Sequence, residues 1–147
     1  MDQSVEFKKL MASVVLLERF VRDIYPSRQS SSVQPLQWSI LRYLDRMPPD
    51  RCEVRWIAKF LGLTRAPVTR ALATLHTRKF VTHDISPDDA RNKTFKLTDQ
   101  GRQQLEQDPI ILAIDRIRTL PEDEREQFIR SVRTLALNTE GGGSENP

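Results

Sequence analysis

Cysteine and histidine are scarce in this chain of 147 residues, which has one cysteine, Cys52, and two histidines, His76 and His83. A lone cysteine cannot close a disulfide within the chain, and residues this few and scattered lack the spacing of a zinc site. A reducing, cytoplasmic setting is the simplest interpretation. Because Cys52 has no resolving cysteine and no motif that stabilises a thiolate, we interpret it as a structural thiol and not as a redox sensor.

Phosphate-binding loops and long apolar runs are also missing. The five glycines form no phosphate-binding loop, and no nucleophile motif is present. Asp88 and Asp89 are adjacent acids, but they follow Pro87 and are typical of a turn, not of a catalytic pair. No apolar run is long enough to span a bilayer, and the first residues do not resemble a signal peptide. These absences predict a protein that is not an enzyme, has no cofactor or metal, and does not bind a membrane.

Positive charge is concentrated in one part of the chain. Residues 36–102 contain 13 Lys and Arg against 7 Asp and Glu, whereas the rest of the chain contains 10 against 13. Between Glu53 and Asp84 there are six basic residues and no acid. Because neutralising phosphates supplies most of the non-specific affinity for DNA, this distribution favours a polyanionic partner.

The basic segment has the pattern of two short helices joined by a tight turn. Apolar residues recur with helical spacing in both helices: Val54, Ile57, Ala58 and Leu61 in the first, and Val68, Ala71, Leu72 and Leu75 in the second. Gly62 follows the first buried face, where a helix end needs a residue that tolerates positive φ. Thr64 is a suitable N-cap for the second helix, and Pro67 lies in its first turn, where a missing amide donor costs little. The segment is therefore predicted to be a helix-turn-helix.

The outward side of the second helix carries small residues around two arginines, Arg65 and Arg70. Small side chains allow close approach to another surface, and one arginine can donate two hydrogen bonds to one base, as a helix in the DNA major groove requires. An ordinary solvated helix also shows Arg and Thr outward, and that alternative stays open at this point. The candidate DNA contacts on this helix are Thr64, Arg65, Ala66, Pro67, Thr69, Arg70 and Ala73.

A β-hairpin is predicted after the second helix. Residues 80–97 contain two stretches of strand-forming residues separated by the turn sequence Ser-Pro-Asp-Asp. A helix-turn-helix followed by such a hairpin is a winged helix, to which residues 51–53 could add a minimal third strand. Near the tip, Arg91 and Lys93 are candidate DNA contacts, since arginine suits a narrow minor groove with its negative potential. Asp89 could hold the Arg91 guanidinium through a salt bridge.

Amphipathic helices are predicted before and within this domain. Residues 5–25 carry an apolar stripe about six turns long, with a second apolar edge that is broader than one packing partner needs. We interpret this face as a dimer interface, with packing on its own domain as the alternative. Residues 36–46 form a shorter helix in which Trp38 belongs to the core. Trp56 and Phe60 lie outside the buried stripe of their own helix.

The C-terminal part is predicted to be helical with breaks. Thr98 is a suitable N-cap for a helix through Leu105, and Asp108 and Pro109 indicate the N-cap and first turn of a new helix. Acids after Pro121 favour the start of a last helix, which would complete a dimerisation layer with the first one. The predicted fold is mainly α with a small β-wing. The predicted domains are 1–34 (N-terminal dimerisation helix and linker), 35–101 (winged helix-turn-helix), 102–139 (C-terminal dimerisation helices) and 140–147 (disordered tail).

Several stretches of the sequence together resemble the MarR (multiple antibiotic resistance regulator) family. They are Gln37-Trp38-Ser39-Ile40-Leu41, Ile57-Ala58, Leu61-Gly62-Leu63, Val68-Thr69-Arg70, Leu75, Asp89-Ala90-Arg91 and Leu97-Thr98-Asp99-Gln100-Gly101. The last two are the most specific, and the resemblance covers about residues 5–137. It implies a dimeric winged-helix regulator whose wing arginine enters the minor groove and whose DNA affinity often falls when a small aromatic or anionic ligand binds. There are two departures: Lys79 stands where the family usually has a glycine, and the segment between Gly101 and Pro121 is shorter than usual.

Together, the residues and the resemblance predict a sequence-specific DNA-binding transcriptional regulator. The predicted protein is a ligand-responsive repressor that binds a pseudo-palindromic operator in double-stranded DNA as a homodimer, in the cytoplasm on the bacterial nucleoid. Its effector-binding residues are unknown. The alternative is a winged-helix protein-interaction module whose basic face docks an acidic partner.

Overall fold

The computed structural model describes residues 3–25 and 32–137. The elements, in chain order, are α1 (Gln3–Ile24), α2 (Pro35–Arg46), a short 3-10 helix (Pro49–Arg51), α3 (Val54–Leu61), α4 (Arg65–Thr77), β1 (Val81–Ile85), β2 (Lys93–Leu97), α5 (Asp99–Leu105), α6 (Ile110–Arg118) and α7 (Glu122–Leu137). The predicted fold class, mainly α with a small β-wing, is confirmed. The predicted tail at 140–147 lies outside the described residues.

The chain divides into two compact units, residues 1–108 and 109–147. The core of the first unit is formed by α2, α3, α4 and the β-hairpin. Its fully buried side chains include Ile40, Leu41, Ile57, Val68, Leu72, Leu75 and Val81. Both predicted stripes of the helix-turn-helix therefore face this core. Trp38 is only 6% exposed, which confirms its predicted place in the core, whereas Phe60 is 64% exposed.

The turn between α3 and α4 is built from two cap residues. Gly62 has φ 66°, as predicted for the end of α3, and the amide of Leu63 donates to the carbonyl oxygen of Ala58 at 3.0 Å. Thr64 is the N-cap residue of α4, but within the described residues its hydroxyl makes no capping hydrogen bond. The backbone conformation, and not the Thr64 side chain, therefore starts α4.

The turn that ends α4 is stabilised by the Leu-Thr-x-x-Gly motif at residues 97–101. Lys79 has φ 64°, a left-handed conformation that favours glycine and is strained for lysine. The Thr98 hydroxyl donates to the Lys79 carbonyl oxygen at 2.6 Å and accepts from the amide of Gly101 at 3.1 Å. A Cβ at position 101 would collide with the carbonyl oxygen of Phe80. Thr98 and Gly101 thus stabilise the turn at Lys79, the position at which the MarR family usually has glycine.

The two strands pair antiparallel, with His83 opposite Phe95. The third strand considered for residues 51–53 is not formed. Arg51 ends the 3-10 helix, and a backbone hydrogen bond of 2.9 Å from the Phe95 amide to the Cys52 carbonyl oxygen joins this segment to β2. The wing is therefore a two-stranded hairpin.

The predicted interruption near Pro109 is confirmed, since α5 ends at Leu105 and α6 begins at Ile110. The expected role of Asp108 is wrong, because Pro109 is the N-cap of α6. The buried carboxylate of Asp108 instead accepts two hydrogen bonds from Arg42 of α2, from Nε at 2.7 Å and from Nη2 at 2.6 Å. A bidentate, charged pair of this kind is stronger than a capping hydrogen bond, so the carboxylate binds Arg42 and does not cap α6.

Arg42 also contacts the residue that follows α1. Its Nη1 donates to the hydroxyl of Tyr25 at 3.1 Å, and its guanidinium carbon lies 5.9 Å from the centroid of that ring. Burial alone lowers the pKa of Arg42, but the hydrogen bonds to Asp108 and Tyr25 outweigh it and leave the pKa raised. The guanidinium is therefore charged and held by α2, the end of α1 and the end of the first unit.

Helix α1 is confirmed with bounds close to those predicted, and its apolar stripe is exposed. The exposed side chains are Val5, Phe7, Leu10, Met11, Val14, Val15, Leu16, Leu17 and Val21, at 44–62%. Tyr25, just after the helix, is half-buried and packs against the core. The first unit thus presents a continuous apolar face about five turns long.

The second unit contains α6 and α7. Arg125 joins them by donating from Nη1 to the carbonyl oxygens of Arg118 and Leu120, at 3.1 and 3.3 Å. Three acids occupy the first turn of α7, as predicted: Glu122, Asp123 and Glu124. None of the helices within residues 3–25 and 32–137 has both the length and the apolarity needed to cross a bilayer.

Candidate nucleic-acid interface

The outward side of α4 exposes the two arginines that the sequence singled out. Arg65, Thr69 and Arg70 are exposed, and Ala66 and Ala73 leave room for another surface to approach. Among the described residues, neither Arg65 nor Arg70 forms a salt bridge with an acid. Their guanidinium donors are therefore available to a base or a phosphate.

A groove of about 620 Å³ lies between α4 and the wing. Five predicted DNA contacts line it: Arg65, Thr69 and Ala73 from α4, and Arg91 and Lys93 from the wing. The tertiary structure thus places the cationic ends of two separate elements around one concave surface. A polyanion that entered this groove would meet positive charge on both walls.

The remaining predicted contacts lie elsewhere on α4 or at its N-cap. Thr64, Ala66 and Arg70 are exposed, and Pro67 is half-buried in the first turn. Arg70 is the one cation in this set. The face of α4 is therefore wider than the groove, and it continues past the groove onto the exposed side of the helix.

The tip of the wing is shaped by Asp89. Its Oδ1 accepts a 3.0 Å hydrogen bond from the backbone amide of Arg91, whereas the Arg91 Nε lies 4.0 Å away, at the outer limit of a salt bridge. The Arg91 side chain is 93% exposed. Asp89 therefore fixes the backbone from which Arg91 projects and leaves most of the guanidinium free to reach a partner.

His83 of β1 lies at the floor of the groove, between α4 and β2. Its ring centroid is 5.0 Å from that of His76 and 5.4 Å from that of Phe95. Its Nδ1 is buried and has no hydrogen-bond partner among the described residues. Burial, together with the charge of Lys93 and the neighbouring His76, lowers the pKa of His83 against the opposing effect of Asp84. The ring is therefore neutral at neutral pH.

Arg55 is a further cation on the groove wall that sequence reasoning had not selected as a site residue. It lies at the start of α3, where its Nε pairs with Glu53 at 3.1 Å. The guanidinium carbons of Arg51 and Arg55 lie 4.3 and 4.9 Å from the centroid of the Trp56 ring. The signal in the sequence was an aromatic residue, Trp56, with arginines one and five positions before it, since arginine often stacks on aromatic rings in cation–π contacts.

Cys52 is 3% exposed, and its thiol donates to the carbonyl oxygen of Pro48 at 3.4 Å. Burial, and next the charge of Asp50, raises the pKa of the Cys52 thiol. Since the thiolate is the reactive form, both effects favour the less reactive thiol and support the structural interpretation. Among residues 3–25 and 32–137 there is no group of three or more metal-ligating side chains.

Comparison with known proteins shows which family and which solved structures this chain is similar to. Residues 31–92 match the model of the MarR family. The transcriptional repressor CouR, bound to a 23-mer DNA duplex, is 27% identical, with 89% of this chain and 91% of that chain covered and a TM-score of 0.65.

Two further structures share the fold at lower identity. Sco3205, a MarR family transcriptional regulator from Streptomyces coelicolor in complex with DNA, is 20% identical, with 92% of this chain and 86% of that chain covered and a TM-score of 0.68. MarR from Staphylococcus aureus in complex with salicylate and kanamycin is 15% identical, with 96% of each chain covered and a TM-score of 0.73. The matched residues contain α2, α3, α4, β1 and the turn of the wing, and over this region the chain is similar to the MarR family.

Proposed function

We propose that this chain is a sequence-specific DNA-binding transcriptional regulator that represses transcription as a homodimer. The observation that carries the proposal is the arrangement of cations around α4. Arg65 and Arg70 are exposed without acid partners among the described residues, and the wing projects Arg91 and Lys93 from the other side of the groove. In this mechanism α4 enters the major groove and Arg91 follows the narrow minor groove beside it.

The exposed face of α1 supports the homodimer. Contiguous apolar patches of this length are rare on monomeric proteins and mark association surfaces. A two-fold axis through such a face would present α4 twice, in successive major grooves about 34 Å apart. The operator is accordingly pseudo-palindromic in this proposal, and the protein acts in the cytoplasm, on the bacterial nucleoid.

A small aromatic or anionic effector completes the proposed regulation. The similar MarR structure from Staphylococcus aureus holds salicylate, which is both aromatic and anionic. A ligand that binds one separation of the two α4 helices more tightly weakens DNA binding by its difference in affinity between the two arrangements.

The test begins with duplexes that the wild-type protein selects from random DNA, followed by fluorescence anisotropy titrations at several salt concentrations. Arg70→Ala is expected to weaken binding by about 1–3 kcal/mol and to relax the preference at one base position. Arg91→Ala is expected to lower affinity and to reduce the salt slope by about 1, with the major-groove preference retained. Arg46→Ala, at the exposed end of α2, is the matched control and leaves binding unchanged.

Three outcomes would contradict the proposal or its parts. Specific binding that survives both substitutions contradicts the assigned contacts. A wild-type protein that binds no duplex in dilute salt favours the alternative, a module that docks an acidic protein partner. DNA affinity that is unchanged by millimolar salicylate removes the support for an effector of this class.

A further inference from the structure

The guanidinium of Arg42 contacts two chain segments that lie far apart in the sequence. Tyr25 follows α1, which ends at Ile24, and Asp108 is the last residue of the first unit, between α5 and α6. Arg42 lies between them, in the middle of α2. The segment that follows α1 and the last residue of the first unit thus both contact this one side chain.

The geometry of the contact is restrictive. Both nitrogens on one edge of the guanidinium, Nε and Nη2, donate to separate oxygens of Asp108, which fixes the plane of the group. The third donor, Nη1, reaches the hydroxyl of Tyr25 at 3.1 Å. The side chains of Arg42 and Asp108 are 21% and 7% exposed, so water cannot readily replace either partner. Buried pairs of this kind contribute little net stability and are best attested in fixing one arrangement over others.

The orientation of α2 bears directly on DNA recognition, because α2 packs against α4. Any rotation of α2 relative to the end of α1 or to the α5–α6 junction would therefore carry the recognition helix with it. Arg46 on the same helix is exposed in its last turn, and it forms no salt bridge with an acid among residues 3–25 and 32–137. It therefore serves as a matched comparison for Arg42.

We propose that Arg42 is a positioning residue that sets the separation of the two recognition helices in the homodimer. It does so by fixing α2 to the end of α1 and to the α5–α6 junction at once. The proposal deepens the function proposed above and rests on it, because the separation matters only if two copies of α4 bind one DNA duplex.

The first test measures tolerance of operator spacing. Duplexes selected by the wild-type protein are remade with one base pair added or removed between the half-sites, which rotates and shifts one half-site relative to the other. The wild type is expected to lose at least about tenfold in affinity for these duplexes. Arg42→Met and Asp108→Asn are expected to shrink that penalty to about twofold, with the base preference inside each half-site retained. Tyr25→Phe, which removes one hydrogen bond, has a smaller effect, and Arg46→Met has none.

The second test needs no DNA. A spin label is attached to Thr77→Cys, at the exposed end of α4; the native cysteine, Cys52, is buried and does not take the label. Double electron–electron resonance spectroscopy then measures the distance between the two spin labels of a dimer. Arg42→Met is expected to broaden that distance distribution, and Arg46→Met is expected to leave it as in the wild type.

The outcomes separate this proposal from the function on which it rests. Variants that lower Tm but keep the wild-type spacing penalty and a narrow distance distribution overturn the positioning role and leave an ordinary structural ion pair. If Arg42→Met does not fold, Asp108→Asn and Tyr25→Phe decide by the same two measurements. A dimer that broadens as expected but binds no DNA supports the positioning of α4 and overturns the proposed function. A wild-type monomer overturns both.

Discussion

Helices α4 and α1 have the same kind of apolar periodicity, but the apolar stripe of α4 is buried and that of α1 is exposed. In α4 the side chains of Val68, Leu72 and Leu75 are at most 1% exposed, because α2, α3 and the hairpin cover them. In α1 the equivalent stripe is about half exposed, with Leu10 at 58% and Leu17 at 50%. A 3.6-residue period therefore shows that a helix has a face to bury, and it does not show which molecule buries it.

The largest effect is expected where the face is already buried. Leu72→Ala should lower the free energy of unfolding by about 2–5 kcal/mol, because it leaves a cavity in the tightly packed core beneath α4. The loss measured by denaturant unfolding should not depend on protein concentration. A value below about 1 kcal/mol would show that the core under the recognition helix is loosely packed.

The next effect tests the exposed stripe. Leu10→Glu puts a charge on the apolar face of α1 and should weaken self-association at least about 100-fold, since each of the two copies loses about 1.4 kcal/mol or more. Ala12→Glu, on the opposite side of the same helix, is the matched control and should leave association unchanged. Sedimentation equilibrium measures both, and equal dimerisation of the two variants would show that α1 is not the interface.

A smaller effect is expected at the strained turn that ends α4. Lys79→Gly should raise the free energy of unfolding by about 1 kcal/mol or less, because glycine adopts a φ of 64° without steric cost. Lys79→Ala removes the same side chain but keeps Cβ, so it should give no such gain. Thermal unfolding distinguishes the two, and equal stability of Gly and Ala at this position would show that the turn carries no backbone strain.

The smallest effect concerns pH and the packing of the wing on α4. The pKa of His83 is lowered from its ordinary value of 6.5 in the folded protein, so the unfolded chain binds more protons between the two values. Stability therefore falls as the pH drops below 6.5 and is regained on returning to neutral pH. His83→Gln should flatten this dependence in thermal unfolding from pH 7.5 to 5, whereas an unchanged profile would assign it to other groups.

Some features were predictable from neighbouring residues alone. The end of α3 at Gly62 follows from local backbone preference, and the exposed arginines of α4 follow from helical geometry. These two features depend on residues within one or two turns of the chain, so periodicity and cap preference are sufficient to find them. The turn at Lys79 was singled out only by the resemblance to the MarR family, in which glycine is usual at that position.

Other features depend on partners that no local pattern reveals. Asp108 has the sequence of a helix cap, yet it binds Arg42, which is 66 residues away. His83 alternates as a strand residue, and only packing brings its ring against His76 and buries Nδ1. Arg65 and Arg91 line the same groove although they are 26 residues apart in the sequence, and only folding brings them together.

The order of amino acids alone determined the two short helices, the turn between them, the hairpin and the excess of positive charge over residues 36–102. These follow from short-range sterics, hydrogen bonding and apolar periodicity. Tertiary structure alone decided which cations share a groove and which carboxylate Arg42 binds. The physical reason is that the energies of burial and of ion pairing depend on the distances between groups. For residues far apart in the sequence, those distances are set only when the chain has folded.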